Sequence, residues 1–90
     1  MLTNNKTNLT YTVIFCNNNN PEITFKQTNL SVHMAFAAMD ILSKAFRSCD
    51  IVSEDTGAII ASVYTAAEFF TPTLTLTEAV DAWTLAQLTR

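Results

Sequence analysis

The chain has 90 residues, 49% of them apolar and 14% charged; this supports one small domain with a real core and excludes a disordered chain. Its 5 basic and 8 acidic residues give a net charge of −3, which excludes the cationic stripe that a direct nucleic-acid binder needs. One glycine and two prolines leave short loops and exclude a glycine-rich phosphate cradle.

Residues 1–7 are polar and are expected to fray. They contain no basic segment leading into an apolar one, so a secretory leader is not expected. From Asn8 the chain alternates. Leu9, Tyr11, Val13 and Phe15 share one side, and Thr10, Thr12, Ile14 and Cys16 the other. This predicts a strand. The run Asn-Asn-Asn-Asn-Pro at 17–21 predicts a turn, because Asn tolerates left-handed backbone and bonds its own main chain. A second strand follows, with Ile23 and Phe25 inward and Glu22, Thr24 and Lys26 outward.

The period then changes. Val32, Ala35, Phe36, Met39, Leu42 and Phe46 recur at helical steps, with Thr28, Asn29 or Ser31 available as N-cap. His33, Asp40, Ser43, Lys44 and Arg47 form the polar side, and Asp40 and Lys44 stand four residues apart. A second apolar row, Met34, Ala38, Ile41 and Ala45, widens the arc to about 220°, where a helix on one sheet needs little more than ~100°. Another helix or another chain must cover it.

Ile51 and Val52, then Ile59 to Tyr64, read as two strands around Ser53-Glu54-Asp55-Thr56-Gly57. Thr65 to Glu68 has the form of a capping box on one helical turn. Phe69 and Phe70 precede Thr71-Pro72, where the chain must extend. Thr75 and Glu78 form a clear capping box, with Leu74 and Ala79 placed as a staple. Leu76, Ala79, Val80, Trp83 and Ala86 then share a helix face running nearly to Arg90, and Leu85 and Leu88 lie off it. The expectation is a single compact α+β domain over 1–90, in the order β-β-α-β-β-α. A four-stranded, mainly antiparallel sheet would carry two helices side by side on one face.

Asp55-Thr56-Gly57-Ala58 resembles the catalytic signature of retroviral-type aspartic proteases, where two such aspartates share a proton. That resemblance implies a dimeric enzyme. However, Ser53 and Glu54 before it are polar, and Gly57 is the sole glycine, so no glycine-bearing flap is possible. The same residues suit a hairpin turn, with Gly57 in the left-handed region. Cys16, His33 and Cys49 have neither nucleophile nor zinc spacing. Asp50, Glu54 and Asp55 do not follow the calcium-loop pattern. No catalytic residue, metal or cofactor is therefore expected.

Cys16 and Cys49 lack a C-x-x-C arrangement and are expected as thiols in a cytoplasmic protein. Sequons at Asn5, Asn8 and Asn29 would then be idle. No apolar run approaches the ~18 residues of a membrane span. Phe69, Phe70 and Trp83 read first as core and second as contact surface.

A hairpin, a long helix and a second hairpin carrying "SEDTGAII" resemble small phage and mobile-element accessory proteins, including anti-CRISPR proteins and other inhibitors of bacterial defence. The resemblance is one of layout over residues 9–64. It implies a non-enzymatic inhibitor whose partner is another protein. The candidate contact residues are Phe69, Phe70, Leu85 and Leu88 as an apolar patch, and Asp50, Glu54 and Asp55 as an acidic hairpin tip. A homodimer is a further possibility. The rival readings are the dimeric protease and a structural or small-molecule-binding subunit of a larger assembly.

Overall fold

The computed structural model describes residues 9–16 and 24–88. The expected fraying at 1–7, the turn at 17–21, the placement of Glu22 and Ile23, and the helix beyond Leu88 lie outside the described residues. Strands β1 (Tyr11–Cys16) and β2 (Thr24–Leu30) are followed by helix α1 (Val32–Leu42). Strands β3 (Ser48–Ser53) and β4 (Ile59–Tyr64), a 3-10 turn (Ala67–Phe69) and helix α2 (Leu76–Leu88) complete the chain. The sheet order is β2-β1-β3-β4 and every pairing is antiparallel. This is the expected β-β-α-β-β-α layout.

The alternation of β1 sets the two faces of the sheet. Val13 and Phe15 are fully buried, and beside them Cys49 and Ile51 of β3 are also fully buried. The helices cover this face. The opposite face carries Thr12, Ile14, Lys26, Asp50 and Ser62 and stays open, as antiparallel sheets allow. Cys16 and Cys49 fall on opposite faces, because Cys49 pairs with Phe15 while Cys16 pairs with Ser48. Both are free thiols, and side chains on opposite faces of a sheet cannot bridge.

Ser31 caps α1, its Oγ accepting from the Met34 amide at 3.2 Å. Asn29 and Thr28 belong to β2 instead. They face Thr12 as a bulge, since Tyr11 pairs with Leu30 and Val13 with Gln27. Asn29 has φ 65°, a left-handed conformation that Asn tolerates better than most residues. The extra residue reverses the alternation and turns Leu30 into the core, where it is 6% exposed.

On α1 the buried residues are Met34, Ala35, Ala38 and Leu42, followed by Ala45 and Phe46 in the turn beyond. The buried stripe is therefore centred between the two apolar rows. Helix α2 packs beside α1 and pulls the stripe toward itself. One consequence corrects the sequence reading: Phe36, expected against the sheet, is 45% exposed, and Val32 is exposed with it. The helix also ends at Leu42, so Lys44 lies in the turn after it.

The capping box of α2 forms as expected. The Thr75 amide donates to Glu78 Oε1 at 2.9 Å, and the Glu78 amide donates to Thr75 Oγ1 at 3.1 Å. Ala79 and Trp83 are buried. The Trp83 indole N–H reaches across to β2 and donates to Gln27 Oε1 at 2.7 Å. The single turn at 67–69 exists without the box expected at Thr65, since its cap is Ala66 with no side-chain bond.

Gly57 closes the second hairpin at φ 79°, its amide bonded to the Ser53 carbonyl at 2.7 Å. A side chain there would meet nothing within 4 Å, so any substitution penalty is conformational. Gly57→Val is expected to cost roughly 1 kcal/mol or more in chemical denaturation, and Gly57→Asn less. A valine variant as stable as the parent would refute the left-handed requirement.

Candidate functional site

Glu54 reads in the sequence as an acidic turn residue, but its side chain folds back over the open face. Its carboxylate accepts from Thr10 Oγ1 at 2.6 Å, from Thr12 Oγ1 at 2.7 Å and from the Asn29 amide at 2.6 Å. The Asn29 donor is the one released by the bulge. One carboxylate thus clips the end of β3 to β1 and β2, and Thr12 is buried beneath it. Charge-assisted bonds of this kind favour the ionised form. The Thr10 hydroxyl first, then the Asn29 amide and the Thr12 hydroxyl, hold the Glu54 carboxyl below its ordinary 4.5.

This clip gives a pH test. The folded value lies below the unfolded one, so the contribution is complete above about 4.5 and is lost as pH falls through the lowered value. Urea midpoints measured from about pH 6 to about pH 3 should fall less steeply in Glu54→Gln than in the parent. Equal slopes would remove the clip from the account.

The other two acids of the expected tip do not join Glu54. Asp50 lies within β3 on the open face, where it accepts from Ser62 Oγ at 2.6 Å. Asp55 is exposed at the hairpin tip. Phe69 is 77% exposed, Leu85 61% and Leu88 76%, whereas Phe70 is half-buried. Leu85 and Leu88 stand on the outer face of α2. Trp83 is core.

His33 is exposed on α1, and Cys16 is on the far side of the sheet. Burial pushes the Cys49 thiol up to about 12, with the neighbouring Asp50 charge adding to it. A buried thiol of that kind carries no thiolate at neutral pH. Among the described residues no group of three or more His, Cys, Asp or Glu side chains is placed to hold a metal. A cleft of about 260 Å³ lies between the start of α1 and the end of α2, lined by Asn29, Leu30, Ser31, Met34 and Gln87. None of its lining residues is titratable.

The feature that sequence reading missed is the position of β4. It is an edge strand. Helix α1 approaches β1, β2 and β3 but not β4. Ile59, Ile60, Val63 and Tyr64 are 60%, 44%, 38% and 66% exposed. Four large apolar side chains on one six-residue strand are therefore left uncovered, on both faces of the sheet. An Arg47 guanidinium 6.0 Å from the Tyr64 ring centroid flanks it on the open side.

Comparison with known proteins returns no matching family, no matching curated protein and no matching solved structure.

Proposed function

We propose that this chain is a non-enzymatic protein-binding module whose contact strand is β4. One observation carries the reading: β4 is an uncharged edge strand with four large apolar side chains exposed. An edge presents a row of free N–H and C=O groups, and an apolar edge without charge or proline is a template for another strand. Scattered surface apolar residues need no explanation, but a contiguous set does. Exposed Phe69, Leu85 and Leu88 add apolar surface elsewhere. On the resemblance of residues 9–64 to anti-defence proteins, a host-defence protein is the class of foreign partner we propose.

The reading assigns no reaction to Asp55, Cys49 or His33. Asp55→Asn should leave binding unchanged. A photo-reactive phenylalanine analogue at Tyr64, and separately at Thr24 on the β2 edge, tests the site inside the cell of origin. Protein adducts from position 64 and none from position 24 are expected. Adducts from position 24 alone, or a peptidase activity lost in Asp55→Asn, would overturn the proposal.

A further inference from the structure

The two edges of the sheet differ in how they are guarded. Edge β2 carries Lys26 and the Asn29 bulge, and Trp83 of α2 bonds to it through Gln27. Lysine, bulges and covering helices are the devices by which sheets block edge pairing. Edge β4 has an irregularity beside the hairpin turn, where Ile60 is the extra residue, since Ile51 pairs with Ala61 and Val52 with Ile59. The rest, Ala61 to Tyr64, pairs regularly with β3, contains no charged residue and no proline and, among the described residues, has no helix against it.

The hydrogen-bond phase identifies which groups are free. The Thr65 amide donates to the Arg47 carbonyl at 2.9 Å. In an antiparallel ladder bonded pairs alternate, so Val63 with Cys49 and Ala61 with Ile51 also bond inward. Ser62 and Tyr64 therefore direct their N–H and C=O groups away from the sheet. Two donors and two acceptors spaced two residues apart match a copy of themselves when one strand is reversed.

We infer that the strand that docks on β4 is β4 of a second copy, antiparallel about a two-fold axis through Val63. This rests on the proposed function above and names the partner. Ser62 of each copy faces Tyr64 of the other, which gives four main-chain hydrogen bonds and an eight-stranded sheet. The two Val63 side chains meet at the axis. Charge favours this face over the others. The chain carries a net −3, and a second copy would meet Glu78 and Asp81 on α2 or Asp55 at the hairpin tip. On β4 it meets one charge of each sign, the Arg47 guanidinium beside Tyr64 and the Asp50 carboxylate bonded to Ser62. Each copy contributes exposed Val63 and Tyr64 to the contact, while Ile59 and Ile60 lie beyond the paired segment. A strand-only interface is small, so the dimer is weak and concentration-dependent.

Sedimentation equilibrium over a concentration series, with charge reversal at the axis, tests the inference. The parent should move from 10.0 kDa toward twice that mass as concentration rises. Val63→Lys should raise the dimer dissociation constant by about tenfold or more, because it sets two ammonium groups face to face. Val63→Glu should do the same. An equimolar mixture of the two should restore the dimer, which a folding defect in either variant would not permit. A parent that stays monomeric throughout, or a dimer that neither variant weakens, would overturn the inference. If the parent is monomeric while Tyr64 still gives adducts with a foreign protein, the second copy is wrong and the protein-binding reading stands. If Tyr64 gives no adducts either, both fail.

Discussion

Trp83→Ala is expected to lower the free energy of unfolding by about 3–5 kcal/mol. Trp83 is 1% exposed, and its ring joins α2 to the rest of the core. Its indole N–H is also the bond that ties α2 to β2 through Gln27. Domains of this size have total stabilities of about 5–15 kcal/mol, so this single loss takes a large share. Thermal unfolding should shift down by roughly 15–30 °C. Trp83→Phe separates the two contributions. It keeps most of the apolar volume and leaves Gln27 Oε1 without its donor, so about 1 kcal/mol is expected. A Trp83→Ala protein with unchanged melting would mean that α2 is not docked as described.

Phe15→Ala is expected to cost about as much, 3–5 kcal/mol, for a different reason. Phe15 is fully buried on the central strand β1. Its ring lies 6.3 Å from Phe25 and 5.6 Å from Phe46, both tilted. Tilted aromatic pairs add about 0.5–1.5 kcal/mol beyond the area they bury. The residue thus links β2, β1 and the turn after α1. Phe36→Ala is the control. Phe36 is 45% exposed, and its truncation should cost under about 1 kcal/mol. Denaturant midpoints of the two variants measure the difference. Equal losses would place Phe36 in the core after all.

The elements were legible because each has a local signal. Alternation from Tyr11 to Cys16, the Thr75–Glu78 box and the lone Gly57 depend on neighbours a few residues away. The wide apolar arc of α1 correctly required a second cover, and α2 supplies it. Phe36 was misread because helical period fixes angles around the axis but not where the neighbouring helix lies. The Glu54 clip had no local signal at all: its partners Thr10, Thr12 and Asn29 are brought to it by the sheet order and by a bulge. The exposure of β4 is likewise tertiary. Ile59-Ile60-Ala61-Ser62-Val63-Tyr64 reads like any strand of a core. Only the order β2-β1-β3-β4 places it at an edge that α1 does not reach.

That the free edge of β4 is where a second strand docks is tested most directly by amide hydrogen exchange, residue by residue, in dilute and concentrated protein. In dilute solution the Ala61, Val63 and Thr65 amides, bonded toward β3, should be protected, while Ser62 and Tyr64 exchange freely. In concentrated solution Ser62 and Tyr64 should become protected, with Thr24 and Lys26 on the other edge unchanged. Ser62 and Tyr64 amides that exchange at one rate at every concentration would contradict it.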